Sequence, residues 1–377
     1  MVKYIWQHSS WANFSWDSEK ILHALSEAKK SQGYILGQAD YFELNDQASI
    51  FIEEAFTTAA IEGENLDRDA IRSSVARRLG LPTAGLPGIK KNSDGLVEVL
   101  IDATRNYEKK MNRERLCGWQ AALFSTGFSG IKKIGVGHFR RSASAMQVVS
   151  GRMGKEKVHF EAPPSTCVAE EMKKFLDWWN SPPQGMDGLV RAAVAHFWFV
   201  TIHPFDDGNG RIARALTDMA LAQEEKLSKR LYSLSSQIMK ERESYYEILE
   251  KTQKGKGDIT EWIVWFLAMF KRGVENSKTL IEKSIFIGKF YRHHARNKFN
   301  DRQLKVLQKL LEYLPEDFQG GLTNKKYVNM THVSSETAKR DLKDLVDKGV
   351  LLQGEGKGRS VSYRLNREIF NTSEGRL

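Results

Sequence analysis

The 377-residue sequence predicts a mainly helical protein, with one short β-hairpin inside its helical part and a small α+β module near its C-terminal end. Three observations predict this. Apolar residues recur at three- and four-residue steps, the helical period, in segment after segment before Asn300. In that stretch one region, 145–160, instead shows two short β-rich runs around glycines. After Asn300 the pattern changes to short amphipathic helices followed by two β-rich runs bracketing a glycine-rich segment.

Taken in order, Gln47 to Glu62 carries Ile50, Phe51, Ala55, Phe56 and Ala59 at helical spacing, with Gly63 as its C-cap. Ala145 to Ser150 and Lys157 to Phe160 flank Gly151 and Gly154 as the arms of a hairpin. Val168 to Trp179 is helical and stops at Asn180-Ser181-Pro182-Pro183. Leu189 to Ile202 is apolar nearly all round, which predicts a buried helix. Arg211 to Lys226 and Ser244 to Thr252 are further helices, and Thr260 to Lys283 is expected as one long one. Lys289 to Lys298 reads as a basic connector; its adjacent His293 and His294 cannot share a helical face and are not expected to bind metal. Gln303 to Tyr313, Lys325 to Met330 and Ser334 to Lys348 are helices, the last opened by Ser334 or Ser335 and ended by Gly349. With Val350 to Leu352 and Val361 to Leu365 around Gly354 to Arg359, they suggest a winged helix. The expected divisions are a helical region at 1–105, a core at 106–272, a linker helix at 273–300 and the winged helix at 301–377.

Composition bounds the function. An apolar fraction of 41% with 28% charged residues is that of an ordinary soluble protein. The two cysteines, Cys117 and Cys167, form neither a disulfide framework nor a metal spacing, which fits a reducing cytoplasm. The N-terminus lacks a signal-peptide core, and no apolar run approaches the roughly 18 residues of a membrane span. The net charge of +10 points to an anionic partner: nucleic acid, nucleotide or acidic protein.

The chemistry concentrates in His203-Pro204-Phe205-Asp206-Asp207-Gly208-Asn209-Gly210-Arg211 and Arg214. Gly208 and Gly210 let backbone N–H groups approach an anion, and the start of the following helix adds its positive dipole end. Arg211 and Arg214, three apart, share a helix face and can clamp phosphates. Asp207 offers a hard oxygen to Mg²⁺, and His203 can take a proton from an attacking hydroxyl. Phe205 is expected to anchor the loop in the core. Together these parts bind a metal-nucleotide and activate a nucleophile.

The run His203 to Arg214 resembles the Fic signature, whose usual members transfer AMP from ATP to protein hydroxyls. The resemblance implies a Fic helical core with a hairpin flap at about Met146 to Phe160, which target backbone joins as an added strand. It implies His203 as general base and Asp207 as the metal ligand. Gly208, Asn209 and Gly210 would form the anion hole for the α-phosphate, with Arg211 on the β-phosphate and Arg214 on the γ-phosphate. Gln147, Val148 and Val149 would lie near the nucleotide, with Tyr245 and Tyr246 at the adenine. Gly137 to Arg140 and Gly257 to Trp262 resemble the family's flanks, and Trp6 with Trp11 to Asp17 resembles a packing segment found ahead of some cores.

Thr58-Ala59-Ala60-Ile61-Glu62-Gly63 is similar to the inhibitory pattern of many Fic proteins. There Glu62 at a helix end would pair with Arg214 and misalign bound ATP. The expected activity is therefore an autoinhibited protein adenylyltransferase acting on Ser, Thr or Tyr, with self-modification and a homodimer also implied. Two alternatives stand beside it: removal of AMP from a target, and a DNA-binding regulator in which Thr337, Lys339, Arg340 and Lys343 enter the major groove and Lys357 and Arg359 touch phosphates.

Overall fold

The computed structural model describes residues 3–83, 86–88, 90–150, 157–314, 318, 320–354 and 361–367. The elements, in order, are helices α1 (Ser18–Leu36), α2 (Leu44–Ile61), α3 (Arg68–Leu79), α4 (Lys91–Arg105) and α5 (Arg113–Leu123). Strands β1 (Phe128–Ser129) and β2 (Lys132–Lys133), then β3 (Gln147–Ser150) and β4 (Lys157–Glu161), form two antiparallel pairs. Next come α6 (Ser165–Asn180), α7 (Gly188–Ile202), α8 (Asn209–Glu225), α9 (Leu234–Lys240), α10 (Arg242–Gln253), α11 (Thr260–Asn276) and α12 (Lys278–His293). The chain continues through α13 (Asp301–Glu312), β5 (Leu322–Thr323), α14 (Asn324–Thr331), α15 (Ser335–Asp347), β6 (Leu351–Gln353) and β7 (Ser362–Leu365). The fold is mainly helical with small antiparallel sheets.

Two compact units result, one of residues 1–39 and 44–277, the other of 40–43 and 278–377. In the first, α7 buries every residue but Arg191, as its all-round apolarity requires, and α8 lies along it. Asp187 caps α7, accepting hydrogen bonds from the N–H groups of Leu189 and Val190. The N-terminal aromatics pack as expected: Phe14 meets Phe197 and Trp198 edge-on, and Trp6 donates to the Glu161 carbonyl of β4. α2 is tied to α9 by the buried carboxylate of Glu54, which accepts from the hydroxyls of Ser233 and Ser235 and from the Ser235 N–H.

In the second unit, α13, α14 and α15 enclose Leu307, Tyr327, Leu342 and Leu345 against a sheet of order β5-β7-β6, and Phe290 of α12 joins this core. Ser334 is the N-cap of α15, and its hydroxyl also pairs with that of Thr337.

One reading changes. The long helix expected over 260–283 is interrupted at Ser277. There the N–H is shared between the Gly273 and Val274 carbonyls and the hydroxyl donates to Gly273, which tightens the last turn. The short strand β5, too brief to show a period, was not legible. The hairpin turn at 151–156 and the wing residues Lys357 and Arg359 lie outside the described residues.

Candidate active site

α7 ends at His203, which takes a left-handed conformation (φ 52°) ahead of Pro204. A non-glycine residue holds such a conformation only where its surroundings impose it. Arg140 supplies that constraint. Its Nε donates to the His203 carbonyl at 2.7 Å, its Nη2 to the carbonyls of Pro163 (2.5 Å) and Ile202 (3.3 Å), and its N–H to the Pro204 carbonyl at 2.9 Å. One buried guanidinium thus satisfies the open carbonyls at the end of α7 and fixes where the imidazole emerges.

The His203 ring lies 3.1 Å from the Val200 carbonyl through Nδ1. A carbonyl only accepts, so Nδ1 carries the hydrogen and, in the neutral ring, Nε2 carries the lone pair. Burial pushes the imidazole below its ordinary value, and nearby Arg140 pushes the same way, against the Val200 carbonyl, Glu62 and Asp207. The ring is therefore neutral, a base, at pH 7.

The loop that follows is closed by Asn209, whose amide oxygen accepts from the Phe205 N–H (2.9 Å) and whose amide nitrogen donates to the Phe205 carbonyl (2.8 Å). Phe205 is fully buried against Phe139 and Phe199. The Asn209 side chain thus faces inward and shapes the loop, so any part the residue has in an anion hole falls to its backbone N–H. Gly208 is left-handed (φ 89°), and a Cβ there would stand 2.9 Å from the Phe124 ring. It begins α8 without a side-chain cap, leaving the first N–H groups of a buried helix open to a ligand.

Asp207 stands at the rim of this turn. Its Oδ1 accepts from the Gly208 N–H, and its Oδ2 accepts a short hydrogen bond from Ser129 at the end of β1. Asp206 points the other way and accepts from the Gly135 N–H at 2.9 Å.

Both arginines of α8 are buried and both are occupied. Arg214 donates through Nε to the Thr58 hydroxyl (2.5 Å), and through Nη2 to the Thr58 carbonyl (2.9 Å) and to Glu62 (2.7 Å). Burial pushes its pKa down, but Glu62 together with Tyr245 and Tyr246 outweighs that and holds it above the ordinary value. Arg211 lies on the Phe124 ring (4.8 Å), and its Nη1 donates to both oxygens of Glu64 at 2.8 and 2.9 Å. Glu62 and Glu64 reach α8 because α2 ends in a glycine reversal. Gly63 is left-handed (φ 80°), and the N–H groups of Glu62 and Glu64 both bond the Ala59 carbonyl.

The expected site residues separate into two groups. Thr58, Glu62, His203, Asp207, Gly208, Gly210, Arg211 and Arg214 come together at the start of α8, where a Cβ on Gly210 would collide with the Glu62 carboxylate. Val148 is partly buried and Val149 exposed on β3, at a bulge in the hairpin. Tyr246 is partly buried under the Arg242 guanidinium. Tyr245 corrects the expectation of an adenine contact. It is buried, and its hydroxyl is 2.8 Å from Nε2 of buried His196, so it belongs to the core behind Arg214. Sequence reading missed Glu64, Arg140 as a clamp, and Ser129. Only Glu64 carried a signal, a second acid two residues after Glu62.

Residues 110–221 match the family model of the Fic/DOC family, and residues 4–81 match that of a domain of unknown function, DUF4172. The protein adenylyltransferase fic-1 of Caenorhabditis elegans is 36% identical over 88 residues, 22% of this chain and 17% of that protein. The protein adenylyltransferase Fic of Nematostella vectensis is 32% identical over 111 residues, 29% of this chain and 24% of that protein. The chain thus spans at most a quarter of the length of these curated relatives. In fold it is similar to a Fic family protein from Desulfovibrio desulfuricans G20, with a TM-score of 0.56 and 18% identity over 95% of this chain and 97% of that one.

Proposed function

We propose that this chain, whose residues 110–221 form a Fic domain, transfers AMP from ATP to a Ser, Thr or Tyr hydroxyl of a protein and is held inactive by Glu62. One observation carries the reading. A neutral His203, its Nε2 without a partner among the described residues, stands beside an uncapped helix start that carries two buried arginines.

In this mechanism Nε2 of His203 takes the proton of the target hydroxyl as its oxygen bonds to the α-phosphorus. The bond from that phosphorus to the bridging oxygen breaks, and diphosphate leaves with the electron pair. The first N–H groups of α8 hold the α-phosphate oxygens, while Arg211 and Arg214 take the β- and γ-phosphates. The flap at β3 and β4 offers an edge to the target backbone. The homodimer rests on the family resemblance, and self-modification on the reach of any exposed hydroxyl near the flap.

Among the described residues no cluster of three His, Cys, Asp or Glu could cage a metal. Mg²⁺ does not need one, since it is commonly held by one carboxylate together with substrate phosphates and water. Asp207 fits that role, being partly exposed, with lone pairs left beyond its bonds to Gly208 and Ser129. Mg²⁺ there would neutralise phosphate charge as the diphosphate leaves.

The test is incubation of the pure protein with Mg²⁺ and α-labelled ATP, comparing wild type, Glu62→Gly and His203→Ala. Label on protein in the Glu62→Gly sample, and none with His203→Ala, supports the reading. Label that persists in His203→Ala sinks it.

A second reading, duplex DNA as a partner of the C-terminal unit, is favoured by the pairing of two of the four acids of α15, Glu336 and Asp347 staying exposed. Asp341 is buried on Arg302, Tyr327 and Asn300, and Asp344 pairs with Lys348 and Gln303. Lys339, Arg340 and Lys343 are left exposed on α15. If they bind phosphates, Lys339→Glu with Arg340→Glu lowers duplex affinity and flattens the salt dependence by roughly 0.9 in log–log slope for each phosphate no longer neutralised. An unchanged slope counts against this partner.

A further inference from the structure

The brake expected from the sequence uses one glutamate on one arginine, yet the structure holds two such pairs. Glu64 is fixed by the same reversal as Glu62, its N–H bonded to the Ala59 carbonyl at 3.0 Å. Its carboxylate sits on Arg211, which is 4% exposed and also lies 3.6 Å from Asp207. Among the described residues each arginine still has a buried nitrogen with no acceptor, Nε of Arg211 and Nη1 of Arg214. A buried guanidinium nitrogen without a partner marks a place where an acceptor belongs. The acceptors present are two carboxylates with side chains 37% (Glu64) and 30% (Glu62) exposed, so each borders solvent.

We propose that Glu64 is a second, separable gate that makes the resting site count phosphates. This rests on the AMP-transfer reading, which sets the β-phosphate on Arg211 and the γ-phosphate on Arg214. A nucleoside monophosphate needs only the uncapped start of α8 and displaces neither acid. A diphosphate puts a second anion at Arg211, where Glu64 and Asp207 already stand, and Glu64 must leave. A triphosphate must displace Glu62 from Arg214 as well. Like charges cannot share one guanidinium at these distances without repulsion. The resting chain therefore gains less from each added phosphate than its two arginines would otherwise provide, and the two acids take that gain away at different steps.

The experiment is calorimetric binding of AMP, ADP and ATP, each with Mg²⁺, to the full chain as wild type, Glu64→Gln and Glu62→Gln. Gln keeps the shape and removes the charge, and thermal unfolding of each variant checks that it folds. Glu64→Gln is expected to tighten ADP and ATP about tenfold, the scale of one charge-assisted pair, and to leave AMP unchanged. Glu62→Gln is expected to tighten ATP alone. If Glu64→Gln leaves the ratio of ADP to AMP affinity at its wild-type value, or tightens AMP by the same factor, the gate is wrong while the nucleotide site stands. If no nucleotide binds any variant, the AMP-transfer reading fails and this inference with it.

Discussion

Replacing Glu62 by glycine removes the carboxylate that holds Arg214 at 2.7 Å, in a pair whose arginine is 2% and whose glutamate side chain is 30% exposed. The arginine is not set adrift. The Thr58 hydroxyl and carbonyl still orient it, so it stays aimed while losing its competitor for phosphate. A hydrogen bond between charged groups contributes about 1.5–3 kcal/mol, and solvent access on the glutamate side argues for the lower end. Releasing about 1.5–2 kcal/mol into nucleotide alignment raises transfer roughly ten- to thirtyfold at sub-saturating ATP. The same change leaves a buried cation less well paired, so the melting temperature falls. The assay is the initial rate of label transfer from α-labelled ATP, with thermal unfolding run beside it. A variant that melts cooperatively yet transfers AMP no faster than wild type refutes the argument, because the Arg214 pair would then not be what limits the reaction.

Other expectations test other parts of the site. Burial pushes His196 down to about 3, between Thr217 and the Tyr245 hydroxyl. A depressed histidine binds its proton more readily in the unfolded chain, so its contribution is present above about pH 6.5 and is lost as pH falls below it. Urea unfolding should show about 1.6 kcal/mol lost between pH 6.5 and 5, with His196→Gln flattening that drop. Because His203 is also depressed, the activity of Glu62→Gly should be flat from pH 7 to 8 and fall only below the ordinary histidine range. A limb centred above pH 7 would contradict a neutral resting base. Arg140→Lys keeps the charge and loses the fork, so kcat should drop about tenfold or more with ATP affinity unchanged by calorimetry. Gly208→Ala, strained at φ 89° and pressed on Phe124, should cost about 1–3 kcal/mol in chemical denaturation and abolish transfer.

The helical character and most helix positions were legible because burial imposes a local period. α7 was readable as a buried helix from its own fifteen residues, and α15 from Ser334 at one end and Gly349 at the other. Tyr245 was misread because an aromatic pair in sequence says nothing about which ring turns inward; the hydroxyl partner that decides it, His196, lies 49 positions away. The acids of α15 could not be placed from sequence for a similar reason: the partners that turn Asp341 and Asp344 inward, Arg302, Gln303 and Tyr327, lie 14 to 41 positions away.

By itself the sequence determined which reactive groups the loop from His203 to Arg214 carries and in what order. There a base, a carboxylate, two glycines and two arginines follow one another through a turn and the first helical turn after it, and such short spacings fix geometry locally. It also determined that a glutamate stands at the glycine-capped end of α2. Tertiary structure decided what those groups are doing at rest. The pairing of Glu64 with Arg211 spans 147 positions, that of Glu62 with Arg214 spans 152, and the hold of Arg140 on the His203 carbonyl spans 63. Such pairings depend on how α2, α7 and α8 pack, and packing is settled by the burial of the whole core rather than by the residues that meet.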